Sequence, residues 1–437
     1  MTVEYNPFTP EVKADPYPYY AALRKEAPVY RVPGTAMYAV SRYADVAELL
    51  TQPELFSSAG MRVMLLGGFG ASVGMKAAAG GPSADDAGNG GSALPSPEIL
   101  AQLSRDLPFS FQELLTSRNV IMADPPGHTP LRGIVNRGFT PRRIAALEGR
   151  IREMADEAIH RIRDKREFDL VAELSTPIPV QVIAELLGVE PERRDDFKRW
   201  SDAIVAGVSG SAAGTNPPQF ISAFGELMQY FKEVVETRRR NPRSDLVSVI
   251  VAAQEGETKL TDLEVVMFAV LLLAAGNETT TNLIGNAVLA LLEYPDQMKK
   301  VRADPGLIPD LVEETLRYDS PVQALFRQVS ADAELAGTKL PAGSIVLPLF
   351  ASANRDEAQF PDPDRFDVER DMKGHLAFGY GVHFCLGASL ARLEARVCLE
   401  ALLAKLPPFR LCQGNVEQID SFLLRGPRSL QLTWADV

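Results

Sequence analysis

The stretch Phe378-Gly379-Tyr380-Gly381-Val382-His383-Phe384-Cys385-Leu386-Gly387 constrains this chain more than any other. A lone cysteine usually packs as a small hydrophobe. Here three glycines, at 379, 381 and 387, leave a loop with little side-chain bulk, which a large flat ligand can approach closely. Helical periodicity resumes over Gly387–Leu403, so Cys385 stands where a helix begins. The unbonded N–H groups and positive dipole end of that helix favour thiolate over thiol. A zinc site fails, because no four-ligand set can be assembled nearby.

Cysteine usage narrows the chemistry further. The chain has three, Cys385, Cys398 and Cys412, and no C-x-x-C pair. A cluster held by cysteine alone needs four thiolates, so an iron–sulfur cluster is excluded within one chain. The absence of C-x-x-C-H excludes c-type haem attachment, and three thiols make no disulfide framework. Acidic residues outnumber basic ones, 57 to 45, for a formal charge of −12, which argues against nucleic acid as a partner. The start lacks a basic stretch followed by an apolar run. The longest apolar run, Val265–Ala275, has 11 residues, short of the ~20 that span a bilayer. A cytoplasmic protein without a membrane anchor is expected.

Periodicity predicts a mainly α chain with a small β portion. Strands are expected at Val29–Val32 and Ala36–Val40, joined by the Pro33-Gly34 turn. Helices are expected over Tyr43–Leu50, Pro141–Ile162, Pro179–Leu187, Pro191–Val205, Ile221–Arg239, Thr261–Glu293, Pro295–Ala303, Ile308–Tyr318 and Gly387–Leu403. Two patches differ in composition. Gly67–Pro97, rich in Gly, Ala, Ser and Asp, reads as a surface insertion, or as a lid near a substrate entrance; Ala206–Pro218 separates two helices. Neither reads as an interdomain linker, so one domain over 1–437 is expected.

The pattern F-G-x-G-x-H-x-C-x-G resembles the haem-ligand loop of the cytochrome P450 family at every fixed position. The resemblance implies haem b (iron protoporphyrin IX) with Cys385 as its axial iron ligand, Phe378 packed against the haem, His383 reaching a propionate, and Gly387 in the ligand loop. A thiolate ligand pushes electron density onto iron and suits oxygen activation. Glu314-x-x-Arg317 is by itself a weak signal, since most such pairs are solvated. It resembles the family's E-x-x-R element, and Phe360–Phe366 resembles the family's meander, which would make Arg365 the third member of that network. His128 and Arg132, four apart at a helix start, can both point at one anionic group. The resemblance makes them propionate ligands, with Arg327 as another. His160 and His375 have no clear partner in the sequence.

The long apolar helix changes character at Ala275-Gly276-Asn277-Glu278-Thr279. Gly and Thr are weak helix formers, and taken alone the stretch reads as a tolerated kink. It resembles the family's A-G-x-E-T element, beside which dioxygen sits. By that likeness Thr279 steadies the activated oxygen, Glu278 relays protons from water, and Ala275 faces the haem. The implied activity is monooxygenation of an apolar small molecule of the terpenoid, steroid, fatty acid or macrolide class. No flavin or iron–sulfur module is visible, so electrons are expected from a ferredoxin or flavodoxin with its reductase, and the protein is expected to be a monomer. Alternatives are a peroxide-using or coupling haem-thiolate enzyme, and a non-catalytic haem sensor. Arg137, Arg142, Arg143 and Arg392 are expected to form a basic docking patch near Cys385.

Overall fold

The longest element is a helix of 32 residues, Asp262–Glu293, and the rest of the chain is arranged around it. It starts where Thr261 and Glu264 form a reciprocal cap: the Thr261 hydroxyl accepts from the Glu264 amide at 3.2 Å, and the Glu264 carboxylate accepts from the Thr261 amide at 2.8 Å. Such a cap is worth about 1 kcal/mol. Pro295, which cannot extend the hydrogen-bond ladder, follows its end. The chain is a computed structural model that describes residues 4–61, 107–208, 217–371, 374–412, 414 and 416–435. The Gly67–Pro97 insertion lies outside the described residues, as does most of Ala206–Pro218.

By length and composition the central helix could cross a membrane. Its apolar residues are instead packed on other helices: Pro177–Leu187, Arg194–Val208, Pro217–Arg240, Ile308–Tyr318 and Ala388–Lys405 all lie against it. Contact is close enough at Gly285 that a Cβ there would meet the Pro427 ring at 2.6 Å. Most of the chain's apolar burial belongs to the core these helices share.

The strands are β1 (Val29–Arg31), β2 (Met37–Val40), β3 (Phe56–Ser57), β4 (Glu167–Asp169), β5 (Arg327–Val329), β6 (Ala333–Leu335), β7 (Thr338–Leu340), β8 (Ile345–Pro348), β9 (Phe409–Leu411) and β10 (Gln431–Trp434). One sheet has the order β1-β2-β8-β5-β3, a second β4-β10-β9, and β6-β7 form a hairpin. The expected β1–β2 hairpin is present, with Val29 opposite Val40 and Gly34 at positive φ in its turn. The pairing of β2 with β8 is parallel, Met37 opposite Ile345. Thus β8 joins the first strands to β5, the strand that carries Arg327.

Boundaries differ from the sequence reading in a few places. Pro141–Ile162 divides into Pro141–Ala145 and Glu148–Arg163. The helix expected from Pro191 opens with a 3-10 turn and becomes α-helical at Arg194. Gly276 and its neighbours do not interrupt the central helix, which is α-helical throughout 262–293.

Candidate functional site

The cysteine loop closes as a tight turn. The Cys385 amide donates to the Phe378 carbonyl at 2.9 Å, and the Gly379 amide donates to the Leu376 carbonyl at 2.8 Å. Gly379 and Gly381 both have positive φ, and a Cβ on Gly381 would stand 2.8 Å from the Leu50 carbonyl oxygen. Glycine at 381 is therefore required both by the backbone and by this approach. Gly387 then caps the helix Ala388–Lys405.

Cys385 is exposed, yet enough protein surrounds its sulfur that burial pushes the thiol pKa up. The amides of Gly387 and Ala388, with Arg132 and Arg392, act in the opposite direction. The helix-start effect inferred from sequence is thus present, but desolvation outweighs it in the protein alone. A metal cation would reverse that balance, because a coordinated thiol is deprotonated outright.

Two histidines and two arginines converge beside this loop. His128 and Arg132 lie on the helix His128–Asn136. The His128 and His383 rings are 4.4 Å apart, and among the described residues the buried Nε2 of each has no hydrogen-bond partner, Asp124 Oδ1 lying 4.0 Å from that of His383. Burial first, then Arg327, His128 and Arg132, holds the His383 pKa down at about 3. Burial lowers that of Arg327 to about 10, and its Nη1 donates to the Phe326 carbonyl at 2.8 Å. Arg132 spans to the loop, donating from Nη2 to the Phe384 carbonyl at 2.7 Å. Buried imidazole and guanidinium groups are costly to leave under-satisfied, and the Asp124 carboxylate favours the charged forms of His128 and Arg327 against the burial that opposes them. The cluster has the donors that two carboxylates would satisfy.

On the central helix, Ala275 is exposed with only a methyl group, and the Thr279 hydroxyl donates back to the Ala275 carbonyl at 2.8 Å. Asn277, the next residue but one, is buried and donates to the Ser201 hydroxyl at 3.0 Å.

Support for the loop comes from the helix Ile308–Tyr318. Glu314 and Arg317 are fully buried and doubly bonded, at 2.8 and 2.9 Å. Arg317 also donates to the carbonyls of Asn354, Pro363 and Arg365 at 3.1, 2.7 and 3.1 Å. The Asn354 side chain accepts from the Leu376 amide at 2.6 Å, which carries the network to the base of the cysteine loop. The expected third member is corrected: the Arg365 side chain is 61% exposed and sits 3.8 Å from Asp367. Arg370 bonds Glu314 instead, at 3.3 Å, because the meander turns its carbonyls, not the Arg365 head, toward the buried pair.

Sequence reasoning missed a second brace. Glu313 accepts from Arg392 at 2.6 and 2.9 Å and bonds His375 at 3.0 Å. The Arg392 guanidinium stacks 4.5 Å from the Phe378 ring centre. His375, left without a role, and Arg392, read as docking surface, therefore hold the loop to the helix beneath it. Arg137 is likewise paired, with Glu255 at 3.0 Å. The basic docking patch loses both residues as free charges.

The site can now be set beside known proteins. The family model for Cytochrome P450 matches residues 218–305 and 307–434. Vitamin D(3) 25-hydroxylase of Pseudonocardia autotrophica is 39% identical over 438 residues, covering 99% of this chain and 97% of that protein. The chain belongs to the cytochrome P450 family. Cytochrome P450 CYP109Q5 of Chondromyces apiculatus superposes with a TM-score of 0.84 at 42% identity, over 100% of each chain. CYP109E1 of Bacillus megaterium, solved in complex with corticosterone, matches with a TM-score of 0.79 at 34% identity, over 97% of this chain and 99% of that one. As a P450 the protein is an oxidoreductase of the monooxygenase class, and the family carries haem. The residues present fit that group. Two imidazole nitrogens without a hydrogen-bond partner among the described residues and a buried guanidinium suit two carboxylates, and an exposed cysteine stands beside them.

Proposed function

We propose that the protein binds haem b with Cys385 as axial ligand and inserts one atom of dioxygen into an apolar small molecule. The convergence of His128, Arg132, Arg327 and His383 beside Cys385 is the observation that carries this reading. His128 and His383 would donate from Nε2 to propionate oxygens, and Arg132 and Arg327 would neutralise the two carboxylates. Phe378, held under Arg392, packs against the macrocycle, and Gly387 leaves its amide directed at the ligand sulfur. When bound, the haem supplies dioxygen binding and reductive O–O cleavage.

The remaining work belongs to the chain. Ala275, with only a methyl group, would leave room for a diatomic ligand. The Thr279 hydroxyl, anchored on the Ala275 carbonyl, can turn to hold a proton at the oxygen site. Glu278 passes protons inward from water. A hydroxyl and an adjacent carboxyl move protons through an apolar cleft without leaving an unpaired charge there.

The substrate is assigned to the steroid-like part of the apolar range, because relatives named for vitamin D(3) hydroxylation and for corticosterone binding cover nearly the whole chain. Two electrons come from a ferredoxin or flavodoxin served by a nicotinamide-dependent reductase, and the protein works as a cytoplasmic monomer of one domain. A panel of steroids, terpenoids, fatty acids and macrolides should be screened for displacement of the iron-bound water by the shift of the Soret band. Turnover with a ferredoxin–reductase pair and product analysis follow. Binding and hydroxylation of steroids over fatty acids support the reading. Product formation with peroxide alone and none with reductant favours the peroxide-using alternative.

A further inference from the structure

The central helix is apolar, yet one of its faces is not. Residues 278, 282, 286 and 293 are spaced by 4, 4 and 7, which places them within one narrow sector of a 3.6-residue helix. They are Glu278, Asn282, Asn286 and Glu293. Asn282 and Asn286 are each 1% exposed, and each leaves one polar atom unpartnered among the described residues: Nδ2 of Asn282, a donor, and Oδ1 of Asn286, an acceptor. The other half of the Asn286 amide is fixed. Asn286 Nδ2 donates to the carbonyls of Asp319 and Arg425 at 2.9 and 3.1 Å. The Asn282 amide is pressed against Gly426, where a Cβ would come within 2.3 Å of Oδ1.

An orphaned donor and an orphaned acceptor, one helical turn apart on one face, are the partners a buried water needs. Asn286 also lines a surface cleft of about 440 Å³, together with Leu289, Ala290, Glu293 and Asp319. Burial and then Asp319 raise the pKa of Glu293, so this carboxyl takes up protons more readily than an ordinary glutamate. From Glu278 to Asn286 the helix rises roughly 12 Å, a gap that about four waters in file would bridge.

We propose that this stripe is a proton route: Asn282 and Asn286 anchor a file of waters that connects the cleft at Glu293 to Glu278. The amides themselves carry no proton. Asn282 donates to a water oxygen and Asn286 accepts from a water hydrogen, so the two amides anchor the file and leave each water a hydrogen and a lone pair for its neighbours. Each water takes one proton from the cleft side and gives one toward Glu278, so no charge accumulates. The inference rests on the relay role proposed for Glu278.

The test combines structure and kinetics on the haem-loaded protein. A high-resolution crystal structure should contain an ordered water within hydrogen-bond reach of both Asn282 Nδ2 and Asn286 Oδ1. A dry, filled space there would overturn the route. Asn282→Leu should lower the rate of reductant consumption about threefold or more and change its solvent deuterium isotope effect, with haem content and substrate-induced Soret shift unchanged. Glu293→Gln, at an exposed position that the fold does not depend on, should change the same isotope effect in the same direction, and it decides the matter should Asn282→Leu fail to fold. Glu278→Gln separates the two readings. If it slows the cycle while Asn282→Leu and Glu293→Gln do not, the relay stands and the route falls. If it has no effect, both fall.

Discussion

Arg370 Nε lies 3.3 Å from Glu314 Oε1, across 56 residues of sequence, and closes the buried network that Glu314 and Arg317 begin. Arg370 also donates to the carbonyls of Asp362 and Arg365, both at 2.9 Å, so one guanidinium ties the meander to the helix Ile308–Tyr318. With the Pro361 carbonyl, which it also bonds, removing it leaves four acceptors short of a donor. Arg370→Ala should cost about 1–3 kcal/mol and reduce haem retention. Arg365→Ala, an exposed site, should stay within about 0.5 kcal/mol. Denaturation midpoints of the two variants, read with their haem content, check this, and the reverse order would return the role to Arg365.

Replacement of Cys385 tests the ligand directly. Cys385→Ser and Cys385→His should abolish the red-shifted Soret band of the reduced carbon monoxide complex, because neither oxygen nor imidazole donates as a thiolate does. Persistence of that band in Cys385→His would assign the ligand elsewhere.

Thr279→Ala should leave haem and substrate binding nearly intact, since the hydroxyl's visible bond is to the Ala275 carbonyl of its own helix. Reductant should still be consumed, with severalfold more of it emerging as hydrogen peroxide and less as oxidised product. Glu278→Gln should slow the whole cycle. Product and peroxide counted per electron pair, in the same substrate and partner mixture, distinguish the two. Unchanged coupling in Thr279→Ala makes the stretch an ordinary piece of core helix.

Glu394, fully surrounded on the helix Ala388–Lys405, has a carboxyl that burial pushes up to about 8. Its folded pKa exceeds the unfolded value, so the native state binds the extra proton between about pH 4.5 and 8. Stability from this group is therefore full below that window and lost as pH rises through it. Glu394→Gln should raise the melting temperature at pH 8 by about 2 °C or more and leave it unchanged near pH 4.5. Equal melting temperatures at pH 8 would count against a neutral buried carboxyl.

What the sequence revealed and what it concealed divide by range. The cysteine loop, the long helix and the His128–Arg132 pair were legible because their spacing is local: a loop of glycines, a 3.6-residue period, two residues one turn apart. Arg370 was not, because nothing in the meander's own sequence says which of its arginines turns inward. The brace of Glu313 with His375 and Arg392 spans 62 and 79 residues, and as isolated letters these are ordinary surface charges. The state of the Cys385 thiol was half legible. The helix start supplies its amides, but desolvation depends on everything packed around the loop.

The two ends of the described chain meet. Lys13 pairs with Asp420, Arg425 donates to the Ala14 carbonyl at 2.8 Å and pairs with Asp319 at 3.0 Å, and Asp319 accepts from the Tyr17 hydroxyl at 2.6 Å. A ribosome that has released residue 387 has already delivered every side chain of the cluster proposed to hold haem. It has not yet delivered the segment that secures the first two helices. The nascent protein therefore holds all the side chains proposed to bind haem before it has a finished frame for them.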